Sequence, residues 1–265
     1  MVQVLVSTMN QIDYSLLEQM HIQTDAVVVN QCDRESEEEF EYCGHRITWI
    51  NSKTRGLSVS RNICLNHADG EICLLADDDL YYVDGYEAIV LKAFQDNPDC
   101  AIIRFIAEGI EKPFKSYPSK EQKITFLQSL KVSSVEIAIR REAIGDIRFD
   151  ELIGAGTKYY MGEENAFLAE CLRKGLKIEY IPQTILRLHI GKSSWYIGMN
   201  ESYFLSRGAA FAAMKTHITD FLILQFAIRK RKIYRNETSV RKAIKLMKTG
   251  KKQYLAEKGG KQQDL

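Results

Sequence analysis

Short apolar runs alternate with helical patterns through residues 1–106, and this alternation constrains the fold more than any other feature of the sequence. The run Asp25 to Gln31 is nearly continuous in apolar residues, as in a strand that is buried on both faces of a parallel sheet. Leu57 to His67 has helical spacing, and a further apolar run, Glu71 to Ala76, leads straight into three aspartates. The pattern predicts an α/β protein with a mostly parallel, Rossmann-like sheet flanked by helices.

The rest of the chain supplies further predicted elements and one change of character. Strands are predicted at Val2 to Ser7, His45 to Ile50, Ala101 to Ile106, Ser133 to Arg140 and Lys177 to Tyr180. Helices are predicted around Ile12 to Met20, at Asp84 to Gln95, at Glu163 to Lys174 and from Ser202 onward. Residues 33–41 and 108–122 are expected to be loops, and a helical, basic extension is expected over 201–265 after a main domain of 1–200.

Charge is divided unevenly along the chain, although the whole carries a net charge of only +1. Residues 1–228 carry a net charge of −9 and residues 229–265 a net charge of +10. The start of the chain lacks the basic region of an export signal, and the longest apolar stretch, Phe221 to Ile228, is too short to span a bilayer. The six cysteines are scattered without a C-x-x-C pair, so we expect reduced thiols, mainly in the core, and a cytoplasmic location.

Polar residues close three of the predicted strands, namely Ser7-Thr8, Gln31 to Asp33 and Asp77 to Asp79. In parallel sheets, ligands bind beyond the carboxyl ends of the strands, so we expect these groups to meet. Alternation along a strand places Asp77 and Asp79 on one side and Asp78 on the other. Such oxygen ligands suit Mg²⁺ or Mn²⁺ better than zinc. An acidic turn that caps the next helix is the alternative interpretation.

Two further signals concern single side chains. Glu163 and Glu164 precede an amphipathic helix, where acids stabilise the helix dipole but where an ionised carboxylate can also act as a general base. His189 follows an apolar run, in the segment from Leu186 to Lys192, and is either a packed structural residue or a contact to a metal.

Four motifs, taken in order, resemble family 2 glycosyltransferases of the GT-A fold over roughly residues 1–195. They are the first strand with Ser7-Thr8 and Asp33; Gly56 to Asn62, similar to G-x-x-x-A-R-N; Leu74 to Asp79, similar to the D-x-D site; and Gly154 to Gly156 with Gly162 to Asn165. The chain reads Ser7-Thr8-Met9-Asn10 where the family often has P-x-Y-N, and Glu164 stands where the family usually has Asp. The resemblance is strongest to enzymes of bacterial capsule, exopolysaccharide or lipopolysaccharide synthesis.

The resemblance implies a role for each matching residue. Residues 1–106 would form the nucleotide-sugar half and 107–200 the acceptor half. The expected donor is a UDP-sugar. It would be held by Ser7, Thr8, Asp33, Arg61, Asp77 and Asp78. Mn²⁺ or Mg²⁺ would be held by Asp79, Asp77 and His189. Glu164, with Glu163 beside it, would take the proton from an acceptor hydroxyl in a single, inverting displacement.

Other classes account for fewer of these features. A nucleotidyltransferase usually has a glycine-rich, basic phosphate loop near its start, and residues 7–13 lack both; a dehydrogenase would need G-x-G-x-x-G there. A non-catalytic adaptor at a membrane surface leaves the carboxylates unexplained.

The basic segment 229–261 carries apolar residues among its lysines and arginines. The apolar positions are Ile233, Val240, Ala243, Ile244 and Met247. The expected partner is an anionic membrane surface beside a glycan or lipid-linked acceptor, with nucleic acid or a solvated tail as alternatives. A homodimer is compatible with the resemblance.

Overall fold

The structure is a computed structural model that describes residues 1–190 and 198–261. Its strands are β1 (Val2–Met9), β2 (Asp25–Gln31), β3 (Ser36–Tyr42), β4 (His45–Ser52), β5 (Ile72–Asp77), β6 (Leu80–Tyr82), β7 (Ile102–Gly109), β8 (Gln122–Lys123), β9 (Ile137–Arg140) and β10 (Ile178–Leu188). Its helices are α1 (Leu16–Gln19), α2 (Leu57–His67), α3 (Tyr86–Asp96), α4 (Phe126–Ser129), α5 (Arg141–Ile144), α6 (Glu163–Arg173), α7 (Glu201–Ala213), α8 (Thr219–Tyr234) and α9 (Val240–Lys261). Three features of the sequence continue beyond the described residues. The segment that contains His189 and the family resemblance both extend into 191–195, and the basic C-terminal extension includes 262–265.

The strands form one mixed sheet in the order β3-β4-β2-β1-β5-β9-β7-β10-β6, with β8 paired to β10. Strands β4, β2, β1 and β5 run parallel to one another, as do β7 and β10. Strand β9 runs antiparallel to both β5 and β7, so β5 and β7 run in the same direction. The six strands β4, β2, β1, β5, β7 and β10 therefore share one direction. The predicted α/β class with a mostly parallel sheet is confirmed.

Apolar strands in the middle of the sheet explain why it is stable. In β5, Ile72 to Ala76 are buried without a break, and β1 is buried from Val2 to Thr8. Continuous apolar strands of this kind need cover on both faces, and burial of each Val, Leu or Ile contributes roughly 1.5–3 kcal/mol. Helix α3 contributes Val90 and Phe94 to the same core.

Four local predictions differ from the structure. The strand expected over Ser133 to Arg140 begins only at Ile137, because Ser134–Glu136 forms a 3₁₀ turn. Residues 33–41 were expected to be a loop, but Ser36–Tyr42 forms β3, an edge strand paired antiparallel with β4. Its glutamates are exposed, and charged side chains on an edge strand oppose pairing with other chains. The helix expected over Ile12 to Met20 is only the short α1. The last strand continues past Pro182 to Leu188, because an irregularity in the ladder between Tyr180 and Thr184 accommodates the proline.

The described chain divides into two compact units. The first comprises 1–55, 59–147 and 171–190 and contains the sheet. The second comprises 56–58, 148–170 and 198–261 and contains the three C-terminal helices. Residues 148–170 therefore group with the C-terminal helices, and the domain boundary at residue 200 stays a prediction. The reason is a shared apolar cluster in the second unit, which joins Ile153 and Tyr159 to Ala209 of α7 and Tyr254 of α9.

Glycines allow α7 and α9 to pack at very short range. A Cβ on Gly208 would lie 1.9 Å from the carbonyl oxygen of Met247, and a Cβ on Gly250 would lie 2.0 Å from that of Leu205. Both obstacles are backbone atoms, so neither can move out of the way as a flexible side chain would.

Within the described residues, no helix combines the length and the apolar character needed to cross a membrane.

We expect Gly250→Ala to lower the free energy of unfolding by about 1–3 kcal/mol, because the added methyl group forces α7 and α9 apart. Gly259→Ala is the matched control in the same helix, since a Cβ there meets nothing within 4 Å. The control should be neutral or stabilising by up to about 1 kcal/mol, given the higher helix propensity of alanine. Urea denaturation followed by circular dichroism measures both, and equal effects at the two positions would contradict the packing argument.

Candidate functional site

The carboxyl ends of β1, β2, β4 and β5 bring polar residues to one edge of the sheet. Ser7 is the register partner of Asp77, and Thr8 is the partner of Asn30, which in turn pairs with Asn51 of β4. The side chains of Asn30 and Asn51 are hydrogen-bonded at 2.8 Å. The expected meeting of the first and third polar groups is therefore observed, at the place where α/β sheets bind ligands.

A buried arginine holds the first aspartate. Nη2 of Arg61 donates to Oδ1 of Asp77 at 2.9 Å and to Oγ of Ser134 at 2.7 Å. Arg61 is only 1% exposed, whereas the Asp77 side chain is 35% exposed. Ser60, the residue before Arg61, donates from its hydroxyl to Oγ of Ser7 at 2.8 Å. The hydrogen bonds made by Ser60 and Arg61 thus connect α2 to the ends of β1 and β5.

A buried ion pair between Glu136 and Arg104 lies at the turn that contains Ser134. Ser134 begins a 3₁₀ turn that ends at Glu136, and Oε2 of Glu136 accepts from the backbone N–H of Ser133 at 2.8 Å. Glu136 is fully buried and also accepts from Nε of Arg104 at 3.0 Å and from the hydroxyl of Tyr117 at 2.5 Å. Burial, followed by the Glu136 charge, raises the pKa of Tyr117 well above its usual value.

We expect Glu136→Gln to lower the free energy of unfolding by about 3–5 kcal/mol, because it leaves the buried Arg104 guanidinium without its countercharge. The control is Glu108→Gln on the same strand as Arg104. Glu108 pairs with Arg187 at 3.0 Å, but both side chains are more than half exposed. An exposed pair contributes about 0–1 kcal/mol. Chemical denaturation of both variants checks this, and a loss at Glu136 no larger than that at Glu108 would contradict the prediction.

Thr8 fixes the second aspartate. Its hydroxyl donates to Oδ2 of Asp78 at 2.6 Å and accepts from Nε2 of Gln11 at 2.8 Å. β5 ends at Asp77, and a turn containing Asp78 and Asp79 leads into β6. The three aspartates were expected to alternate between the two faces of one strand. Because β5 ends at Asp77, that alternation does not extend to Asp78 and Asp79.

Asp79 lies beside His189. The backbone N–H of His189 donates to the carbonyl oxygen of Asp79 at 3.3 Å. Loss of hydration, followed by the negative charges of Asp77 and Asp78, raises the pKa of Asp79 above its ordinary value. Crowded carboxylates of this kind are stabilised by a cation.

Glu111 orients the His189 ring and was not singled out in the sequence. Its carboxylate accepts from Nδ1 of His189 at 2.7 Å and from the backbone N–H of Ile190 at 2.6 Å. The hydrogen bond from His189, and then that from Ile190, lowers the pKa of Glu111 to about 2. Glu111 lies in the aperiodic segment 108–122, where nothing in the pattern distinguishes one glutamate from another.

The residues present fit a divalent cation that is shared with a ligand. Among the described residues, no three His, Cys, Asp or Glu side chains form a group that could hold a metal ion by themselves, so the ligand set Asp77, Asp79 and His189 stays a prediction. The Asp77 carboxylate accepts a hydrogen bond from Arg61. Mg²⁺ is commonly bound by one or two carboxylates together with substrate phosphates. Because Nδ1 of His189 is hydrogen-bonded to Glu111, Nε2 is the ring nitrogen that a metal would use, as in sites where a carboxylate orients the ligating histidine.

Asp33 and a neighbouring cleft form the outer part of the sheet edge. Asp33 is highly exposed and pairs with Arg55 at 2.8 Å; among the described residues it makes no hydrogen bond to the three aspartates. Next to it, a cleft of about 240 Å³ is lined by residues of β3, β4 and the loop after β1. Tyr14 and Trp49, two of the lining residues, are in edge-to-face contact at 5.0 Å.

Glu163 and Glu164 begin α6 in the second unit. Gly154, which has a φ of +115°, allows close approach there: a Cβ on it would lie 3.3 Å from Glu163 and 2.8 Å from Oγ of Ser58. That hydroxyl donates to the carbonyl oxygen of Ile153 at 2.6 Å. Glu163 is only 6% exposed, whereas Glu164 is half-buried. Glu164 is therefore the more accessible of the two carboxylates.

Solved structures with a similar fold include several of TarS from S. aureus. The chain superimposes on TarS residues 1–349 in complex with UDP with a TM-score of 0.61 at 16% identity, covering 91% of this chain and 76% of that chain. For TarS 1–349 in complex with UDP-GlcNAc, the TM-score is 0.57 at 15% identity, with 97% and 92% covered. This likeness confirms the GT-A fold.

Sequence comparison gives the family. Among curated proteins, none matches the chain. The sequence profile described as Glycosyl transferase family 2 matches residues 10–148, more than half of the chain and a range that includes Arg61 and the three aspartates. The prediction of a glycosyltransferase is thereby confirmed. The chain belongs to glycosyl transferase family 2.

Proposed function

We propose that the chain transfers a sugar from a nucleoside-diphosphate sugar, in the first instance a UDP-sugar, to a hydroxyl of a glycan or lipid-linked acceptor in bacterial surface polysaccharide synthesis. The observation that carries the proposal is the edge of the sheet where Arg61, Thr8 and His189 surround three consecutive aspartates. Support for the donor comes from structures of the same fold that hold UDP and UDP-GlcNAc.

The donor is held by groups that the fold fixes in advance. Arg61 orients Asp77, and Thr8 orients Asp78, so these carboxylates are positioned to accept hydrogen bonds from a ribose. Asp33 and the cleft beside it lie farther out along the same edge, and we assign the nucleobase to them. Ser7 lines the edge next to Asp77.

Asp79 and Nε2 of His189 are the groups that would hold Mn²⁺ or Mg²⁺ together with the donor diphosphate. When bound, the cation supplies positive charge against the negative charge that develops on the leaving nucleoside diphosphate. Glu111 keeps the His189 ring oriented through its hydrogen bond to Nδ1.

Glu164 acts as the general base, a role that rests on the family resemblance and on its accessibility. It removes the proton from the acceptor hydroxyl, whose oxygen attacks the anomeric carbon opposite the departing diphosphate. The C1–O bond to the phosphate breaks as the new glycosidic bond forms, so the configuration at C1 is inverted. Glu163, buried beside Gly154, supports the turn that presents Glu164.

The proposed setting is the cytoplasmic face of a membrane, where nucleotide sugars and a lipid-linked acceptor are both within reach. A panel of UDP-, GDP- and ADP-sugars with Mn²⁺, scored for slow release of the nucleoside diphosphate without acceptor, tests the donor class. We expect release from at least one UDP-sugar and none in EDTA. Release from none of the panel by folded protein would overturn the proposal.

A further inference from the structure

One face of α8 is apolar and exposed over its first half. Phe221 is 61% exposed, Leu224 46% and Ile228 60%. Their spacing of three and four residues places them on the same side of the helix, opposite the buried Leu222, Ile223 and Phe226. A single exposed apolar side chain is ordinary, but a continuous row of three on one helix indicates a surface that contacts something other than water.

The same face becomes basic over its second half. Arg231, Lys232 and Arg235 continue the spacing and are exposed. Asp220, the one acidic residue within α8, pairs with Lys251 at 2.9 Å and lies at the far end of the helix. From Phe221 to Arg235 the face extends for about 21 Å, apolar at one end and positively charged at the other.

The apolar positions expected from the sequence lie mainly on α9, where two are buried and two are half-buried; the fifth, Ile233 of α8, is 58% exposed. Ala243 and Met247 of α9 are fully buried, and α9 packs closely against α7. The lysines of α9 that flank them remain exposed, as at Lys245 and Lys248. The surface available for docking is thus the α8 face, residues 221–235.

We propose that the α8 face docks in the plane of an anionic lipid bilayer, with Phe221, Leu224 and Ile228 entering the interface and the basic residues facing lipid phosphates. Charge complementarity favours this occupant, because apolar residues beside clustered Lys and Arg are the signature of a helix that lies on an anionic membrane. The proposal goes beyond the transfer reaction, and its test needs neither donor nor acceptor.

Other occupants fit less well. A second copy placed on the same face would bring two sets of Arg231, Lys232 and Arg235 together, and three apolar side chains fall short of the roughly 800 Å² per partner in a stable interface. Nucleic acid would use the charges but would leave Phe221 and Ile228 unexplained.

The test is co-sedimentation of the whole protein with vesicles of pure phosphatidylcholine or of phosphatidylcholine with phosphatidylglycerol. We expect binding only to the anionic vesicles, weakening as salt rises because screening shortens the range of the attraction. The triple variant Phe221→Ser, Leu224→Ser, Ile228→Ser should bind at least about tenfold more weakly. Leu255→Ser is the matched control, since Leu255 is an exposed apolar residue of α9 outside the α8 face, and it should bind like the parent.

Each alternative has its own outcome. Equal binding of parent and triple variant to anionic vesicles, with unchanged circular dichroism spectra, would overturn the proposal. So would a dimer in analytical ultracentrifugation that the triple variant abolishes, or preferential binding of a DNA duplex over anionic vesicles. Loss of vesicle binding in Arg231→Gln, Lys232→Gln, Arg235→Gln with Phe221 intact would support the electrostatic half of the proposal.

Discussion

Asp79→Asn should reduce sugar transfer by at least about 10³-fold, the largest effect that we expect from any single substitution in the chain. Asparagine keeps the shape of the side chain but removes the negative charge that would hold the cation, and with it several kcal/mol of stabilisation of the leaving diphosphate. Burial and then the negative charges of Asp77 and Asp78 raise the pKa of Asp79, and a cation would relieve the repulsion among these charges. Release of UDP from a UDP-sugar, measured against Mn²⁺ concentration, gives the effect.

The control for this variant is Asp96→Asn. Asp96 ends α3 and pairs on the surface with Lys92 at 2.9 Å, so its loss should leave release of UDP unchanged. If Asp79→Asn kept the rate of the parent, or if the parent were fully active in EDTA, Asp79 would not be a metal ligand.

Glu164→Gln should lower the transfer rate by about 10²–10⁴-fold while leaving the affinity for UDP within about twofold of the parent. The amide is similar in shape and still fits the first turn of α6, but it cannot accept the proton of an acceptor hydroxyl. Two quantities are measured for each variant, the transfer rate and the affinity for UDP. A variant that merely destabilises the protein would lose both, whereas loss of the general base lowers only the transfer rate.

Glu163→Gln provides the comparison at the neighbouring position. Because Glu163 is 6% exposed and packs beside Gly154, its substitution should affect stability more than the transfer rate. If Glu163→Gln were inactive and Glu164→Gln active, Glu163 and not Glu164 would be the general base.

The sequence predicts the inner part of the site well because strand order determines it. Apolar runs that end in Ser7-Thr8 and Asp77 identify parallel strands, and parallel strands must end at one edge. The resemblance implies a nucleotide-binding role for Arg61, which stays a prediction; in the structure Arg61 forms an ion pair with Asp77 at that edge. These features follow from local pattern and from general rules of sheet topology.

The sequence predicts the support of the site poorly because that support consists of long-range contacts. Glu111 lies 78 residues before His189, and Ser134 lies 73 residues after Arg61. Neither residue has a periodic neighbour that would distinguish it. The same limit explains the basic tail, whose apolar residues Ala243 and Met247 look like a free amphipathic face until α7 is seen to cover them.

The central claim is that the edge of the sheet around Asp77 to Asp79 binds a nucleoside diphosphate together with a divalent cation. Isothermal titration of the protein with UDP, GDP and ADP, each with Mn²⁺ and with EDTA, tests it most directly. We expect UDP to bind with Mn²⁺ and its affinity to fall at least about tenfold in EDTA and in Asp79→Asn, since the cation would be held by the Asp79 carboxylate together with the phosphates. Absence of measurable affinity for all three nucleotides in the presence of Mn²⁺, from protein with a native circular dichroism spectrum, would contradict it.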